Sequence, residues 1–420
     1  MSLNLYALVA LTALAGELVL SAVAGLLNVR AMGGVVPDEF RDVFDGETYA
    51  RSQAYTRART RFGLIQSATS LAALLAFWFA GGFGWLDGVA RAAESGPVTT
   101  GLLFVGALAL GSTLLGLPFR IYGTFVLEER FGFNRTTVGT FAADLLKGLA
   151  LGTLLGGALL GAILFFFEWA GPLAWLWCWA LTTVFMLVAQ FVAPTWIMPL
   201  FNTFSPLGDG ELKTALVDYA RSVRFPFSEI FVVDGSRRSA KANAFFTGFG
   251  SRKRIGLFDT LVEQQTTSEL VSVVAHEVGH YKRGHLLKDL LLRLAHSAAL
   301  FWLLSLFLNR QGMFDAFGVA DPSVHAGLVL FGLLFTPIEL VLSLVVNRFS
   351  RRYEFEADAF AVETTGQALP LISALKKLSA DSLSNLTPHP LHVLLHYSHP
   401  PVLDRVAALR ALDPSRQPAG

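Results

Sequence analysis

The chain alternates long apolar runs with short polar connections. Seven runs reach the roughly 17–25 residues that a bilayer-crossing helix needs: about 4–28, 64–90, 100–127, 146–169, 173–200, 286–308 and 324–347. The first contains Ala22-Val23-Ala24, which imitates a signal-peptide cleavage site, but it lacks a basic n-region and is too long for an h-region. It therefore reads as a retained span. Two mixed segments lie outside the runs, 201–285 and 348–420. The pattern predicts a mainly α, integral membrane protein with four parts: a five-span block over 1–200, a soluble segment over 201–285, two spans over 286–347 and a second soluble segment over 348–420.

Within the first soluble segment the period changes. Ser228 to Val233, "SEIFVV", reads as a strand, and Lys241–Phe249 with Arg252–Phe258 reads as a hairpin turning near Gly248, Gly250 and Ser251. Thr266 and Glu269 then have the spacing of a capping box, which starts a helix. No clear stop separates that helix from the sixth span, so one continuous helix is expected. The tail "DPSRQPAG" reads as frayed.

Hydrophobic residues make up 53% of the 420 positions and charged residues 15%, against about 25% charged in soluble domains. The formal net charge of +1 gives no reason to expect a nucleic-acid partner. The single cysteine, Cys178, excludes an internal disulfide and reads as a small buried hydrophobe. Lys and Arg alternate between rich and poor connections. Arg30, Arg41, Arg51, Arg57, Arg59 and Arg61 fall before the second run and only Arg91 after it. Arg130 and Arg135 fall in the third connection with Lys147 at its edge, none near 170–172, and Arg348, Arg351 and Arg352 follow the last run. By the positive-inside rule the N-terminus faces out, and both soluble segments face the cytoplasm.

The chemistry is concentrated in "VVAHEVGHYKRGH", residues 273–285. Residues four apart share a helical face, so His276 and His280 can grip one ion. Glu277, offset by about 100°, can reach a zinc-bound water as general base. Zinc suits this donor set and brings that water's pKa near 7, within a carboxylate's reach. One Zn²⁺ per chain is expected. The third ligand must come from elsewhere, and "NRFSRRYEFEADAFA" offers Glu354, Glu356 and Asp358. Glu354 and Asp358 share a face. The economical assignment puts Glu354 on the metal and Asp358 behind it, accepting an N–H from a ligand histidine. Glu356 points away and reads as solvated or arginine-paired. His285 lies near 180° from His276 on a straight helix and reads as no ligand. His392 and His396 are also four apart, but no carboxylate lies between them, so they read as polar residues lining a wet cavity.

Together "AHEVGHYKRGH", "SRRYEFEAD" and "YSHPPVLDR" resemble the CAAX prenyl protease 1 family, integral-membrane zinc proteases related to HtpX. "EERFGFNRTT" at 128–137 and "KANAFFTGFG" at 241–250 also look like family blocks. The resemblance spans nearly the whole chain. It implies seven transmembrane helices enclosing a water-filled chamber, a cytoplasmic zincin-like α+β catalytic domain, and Glu354 as third ligand. It implies that Asn243, His399 and Arg405 hold the peptide or stabilise the tetrahedral intermediate. It also implies prenylated C-terminal CaaX peptides as substrates. A peptide is expected to add as a strand along 241–250, with Asn243 and Ala244 at the head of that edge.

Arg120, Asp289, Arg293, His296 and Glu339 fall in or near spans. Each would cost about 2–3 kcal/mol facing lipid, which predicts a solvated cavity, with Asp289 and Arg293 paired. Two rival functions remain. One is quality-control proteolysis of unprenylated membrane proteins. The other is a lipid-binding or transport protein with structural zinc, although no inverted repeat is visible and Glu277 would then have no role. The membrane is the inner membrane in a bacterium and the endoplasmic reticulum in a eukaryote.

Overall fold

The computed structural model describes residues 3–247 and 253–413. Seven helices are long and apolar enough to cross a membrane. They are α1 (Leu5–Ala31), α2 (Gly46–Phe79), then, after the short α3 (Gly82–Arg91), α4 (Pro97–Glu128), α5 (Val138–Trp169) and α6 (Gly171–Phe201). The last two follow a soluble insert. That insert holds β1 (Phe204–Pro206), α7 (Glu211–Ser222), β2 (Phe227–Val233), β3 (Ala244–Thr247) and β4 (Lys253–Phe258). It ends in α8 (Asp259–Gln264) and α9 (Thr267–Lys282). The sixth span is α10 (His285–Phe307), followed by α11 (Gln311–Phe317), and the seventh is α12 (Val324–Thr365). Three helices close the chain: α13 (Leu369–Asp381), α14 (Pro390–His396) and α15 (Val402–Ala411).

Two boundaries differ from the sequence expectation. The second span does not occupy 64–90. Helix α2 starts at Gly46, with Asp45 accepting the Thr48 N–H as its cap, so Arg51, Arg57, Arg59 and Arg61 ride on the helix. It ends before Gly81, whose φ of +75° breaks it from α3. Nor does the capped helix run into the sixth span. The capping box at Thr266 and Glu269 forms as expected, but Gly284 adopts φ +70° and separates α9 from α10. A left-handed residue cannot continue an α-helix, and glycine takes that conformation without steric cost.

The small sheet has the order β1-β2-β4-β3. Strands β3 and β4 pair antiparallel, as the hairpin pattern requires, although the turn itself lies outside the described residues. The parallel pairing of β2 with β4, and β1 itself, were not visible in the pattern. Strand β3 is one edge and β1 the other.

The spans pack around a ring in chain order, α1 on α2, α4 on α5, α5 on α6, α6 on α10, α10 on α12, and α12 back on α1. Phe62 of α2 stacks on Tyr122 of α4, with centroids 5.3 Å apart. One end of the ring is plugged by Trp78, Phe83, Phe104, Phe314, Phe317 and Phe331, and there the Trp78 Nε1–H donates to the Ala316 carbonyl at 3.0 Å. The other end is closed by the sheet and the helices around α9, with their own apolar core. Between these ends, no residue is buried over 11–23, 56–77, 105–126, 138–163, 179–201, 286–300 or 336–353. A close-packed bundle would bury one face of every helix. The ring is therefore hollow. The seven-span chamber and the small α+β layer at its end are the expected fold. Helix α12, 42 residues long, extends about 63 Å, twice a hydrocarbon core. Its C-terminal half thus enters the α+β layer.

The five intramembrane polar groups distribute unevenly. His296 Nε2 lies 3.0 Å from Glu339 Oε2 between α10 and α12. Arg120 sits over the Phe141 ring at 6.0 Å. Asp289 lines the cavity that reaches the α9 histidines. The expected Asp289–Arg293 pair does not form: among the described residues no ion pair joins them. Asp289 is half-buried and Arg293 exposed, so neither is a buried charge that requires the other.

Candidate active site

The site is built where α9 crosses α12. Gly279 makes the crossing close: a Cβ there would stand 3.0 Å from the Ala357 Cα and 3.1 Å from its carbonyl oxygen. This approach brings a carboxylate of α12 up to the imidazoles of α9. His276 Nε2 is 3.5 Å from Glu354 Oε2, His280 Nε2 is 3.4 Å from Glu354 Oε1, and the two Nε2 atoms are 3.2 Å apart. One ligand atom from each residue lies within 4.8 Å of the others.

The local proton arrangement fits a cation. His276 Nδ1 is 2.8 Å from Asp358 Oδ1. A carboxylate only accepts, so Nδ1 carries the hydrogen and Nε2 presents a bare lone pair. Glu354 Oε2 is buried without a hydrogen bond, although Arg405 Nη1 stands 3.0 Å away out of line. Electron-rich atoms converging in a buried space repel one another unless a positive ion sits among them. Two imidazoles and one carboxylate, with one side left open, are a donor set for a divalent metal.

Asp358 is placed as the spacing predicted, 1% exposed and behind His276. Arg405 lines the same cavity and is held against the carboxylates behind the histidines. It is buried, donating from Nε to Asp358 Oδ2 at 2.8 Å and from Nη2 to Asp358 Oδ1 at 2.6 Å, with Nη1 beside Glu354. His399 is the exposed donor, its Nε2 3.3 Å from Glu354 Oε1 and its Nδ1 against Ser398 Oγ at 2.9 Å. Glu277 projects into the cavity beside the ligands. Burial raises its carboxyl above the ordinary range, against the opposing pull of His276 and His280. That direction suits a group that must accept a proton near neutrality.

A cavity of about 750 Å³ joins these residues to the bundle and to strand β3. Asn243 and Ala244 line it. The Asn243 carbonyl accepts the Phe258 N–H at 3.0 Å, and its side chain accepts the Ala244 N–H at 2.9 Å. Membrane-side residues of α6 complete the wall around Pro194, where the helix widens to a π-helical turn over Ala193–Ile197. Such turns are frequent at functional sites.

Sequence reasoning missed one contact. His285 is 1% exposed, with Nδ1 3.1 Å from His280 Nδ1 and Nε2 3.1 Å from Glu356 Oε2. Glu356 also accepts from Arg352 Nε at 2.8 Å, so the expected arginine partner is present but is half of its role. Gly284 was the available signal. The pair His392 and His396 stands 4.8 Å apart between ring centroids. Burial first, then the charges of His396 and His389, pushes His392 down to about 4. Among the described residues, no carboxylate completes a three-ligand cluster there.

Comparison with known proteins decides the family. Residues 26–203 match the model for the CAAX prenyl protease N-terminal, five membrane helices, and residues 206–413 match that for peptidase family M48. The CAAX prenyl protease 1 of Saccharomyces cerevisiae is 36% identical, with 89% of this chain and 88% of that one aligned. The chain belongs to the CAAX prenyl protease 1 family. The homologue of Oryza sativa is 34% identical over 91% of this chain and 92% of its own, and the human homologue 33% over 90% and 89%. The crystal structure of S. mikatae Ste24p superposes with a TM-score of 0.90, at 32% identity, covering 97% of this chain and all of that one. This family member is a multi-pass membrane metalloendopeptidase that acts on peptides.

Proposed function

We propose that the chain is a zinc endopeptidase of prenylated CaaX C-termini, with its catalytic layer in the cytoplasm. The observation that carries the chemistry is the convergence of His276, His280 and Glu354 with Glu277 beside them. Two features support the substrate. The hollow bundle opens onto the site through a cavity whose wall is mainly apolar, which suits an isoprenoid tail. The named activity of the yeast, rice and human relatives points the same way.

His276, His280 and Glu354 would hold the zinc, which when bound supplies Lewis acidity to a water and a substrate carbonyl. Asp358 orients the His276 ring by accepting its Nδ1–H. Arg405 holds Asp358 and Glu354 in place from behind, a positioning role. Glu277 takes the proton of the attacking water and returns it to the leaving amine. His399, exposed beside Glu354, donates to the oxygen that gains charge as water adds to the carbonyl. The peptide lies along the free edge of β3, its backbone paired with that of Ala244 onward and anchored by Asn243. The alternating basic connections favour an N-terminus outside the cytoplasm, in the inner membrane of a bacterium or the endoplasmic reticulum of a eukaryote.

Product mass spectrometry on matched farnesylated and unmodified peptides tests the reading. Cleavage confined to the farnesylated peptide, beside the modified cysteine, is expected. Equal cleavage of the unmodified peptide would replace it with the quality-control reading.

A further inference from the structure

We propose that His285 is a positioning residue which, backed by Glu356, fixes which nitrogen of His280 faces the metal. The inference rests on His280 being a zinc ligand, as proposed above.

The argument starts at the far end of the chain of contacts. Glu356, paired with Arg352, is an ionised carboxylate and accepts only. His285 Nε2, 3.1 Å from it, therefore carries the hydrogen of the neutral ring. His285 Nδ1 is then a lone pair, and it stands 3.1 Å from His280 Nδ1. Two bare lone pairs do not meet at that distance, so His280 Nδ1 carries its hydrogen and donates. The remaining lone pair of His280 is on Nε2, the atom that faces His276 and Glu354. The opposite tautomer would turn an N–H toward the metal position. Tyr353 holds the relay in plane, its ring stacked on His285 with centroids 4.2 Å apart and 13° between planes.

Chain geometry explains how His285 arrives there. On an unbroken helix, five residues correspond to about 140° of rotation, and the two rings would point apart. The left-handed Gly284 redirects the chain, so the first residue of α10 folds back onto His280. The two ligand histidines thus have separate supports: Asp358 with Arg405 for His276, and His285 with Glu356 for His280.

The test measures zinc affinity by chelator competition on the full-length protein in detergent. Groups that orient ligand histidines are typically worth 10–100-fold in affinity. His285→Leu is expected to lose about that much, and His285→Gln, whose amide oxygen can still accept from His280, to recover most of it. Glu356→Leu should weaken binding in the same direction and by less. It also serves as the second variant if His285→Leu does not fold. Wild-type affinity in a folded His285→Leu or Glu356→Leu, or a glutamine variant as weak as leucine, would overturn the inference. Wild type and Glu354→Ala are measured alongside. If wild type bound no zinc, or Glu354→Ala bound it fully, the metal-site reading itself would fall, which is a distinguishable result.

Discussion

The middle and the C-terminal end of α12 teach different lessons. After the buried plug residues that end at Phe335, the helix runs through the hollow, and residues 336–353 include none that is buried. Past that stretch, Glu354, Ala357, Asp358, Ala361 and Val362 are all buried against the α+β layer. The same helix thus tolerates empty space along its middle and none where it enters the α+β layer. In the bundle, stability comes from apolar surface in lipid and from satisfied backbone hydrogen bonds. In the α+β layer it comes from close packing, and three of the site's polar groups, Glu354, Asp358 and Arg405, are locked within that packing. Changes of similar size should therefore have very different effects in the hollow and in the α+β layer.

The largest effect should be chemical. Glu277→Gln keeps shape and volume, and kcat should fall by about 10²–10⁴-fold or more while metal content and melting remain those of wild type. A wild-type rate would mean that another group accepts the proton. Next comes the dense core. Leu257 is fully buried in β4, and Leu257→Ala should cost about 2–5 kcal/mol in the α+β layer, read as a lowered melting transition with span helicity intact. If the whole molecule melts as one unit, the two regions are not independent.

Gly279→Ala is smaller and more telling. Its methyl would meet the backbone of Ala357 at 3.0 Å, and overpacking of that kind costs about 1–3 kcal/mol. Because α12 must move away, metal affinity should fall more than stability does. Affinity unchanged by this variant would show that the crossing is not what sets the ligand spacing. The smallest effect belongs to the unpacked surface of the spans. Around Gly111 in α4, nothing lies within 4 Å of an added Cβ. Gly111→Ala should leave activity unchanged and melting within about 0.5 kcal/mol of wild type, or slightly stabilised by helix propensity. A strong loss there would mean that this face of α4 is packed after all.

Much of this was legible from the sequence because the signals were local. Span lengths, the capping box, the i,i+4 ligand pair and the shared face of Glu354 and Asp358 all follow from one helical period. Arg405 lies 47 positions from Asp358, and nothing local announces that its donors are turned inward. The His285 contact failed for the opposite reason: the local period was applied through Gly284, where it stops. The start of α2 was misplaced because its first turns are polar, and hydropathy marks the membrane rather than the helix.

Helix α12 finally poses a problem of tolerance. From its first residue to Glu354 it spans 30 positions, an arm of about 45 Å. A metal ligand is useful only within about 0.2 Å of its place. Over such an arm that margin corresponds to a swing of about a quarter of a degree, and Pro337 within the helix removes one of its backbone hydrogen bonds on the way. Stiffness along the arm cannot supply this accuracy, so each end must be anchored separately. At its N-terminal end, His325 is clamped to Asp87 at 2.6 Å, and Asp87 is gripped in turn by Arg91 at 2.8 Å. At the site, Gly279 seats the helix backbone to backbone. Any strain the bilayer puts on the bundle is then taken up in the unanchored length between, before it reaches the ligands.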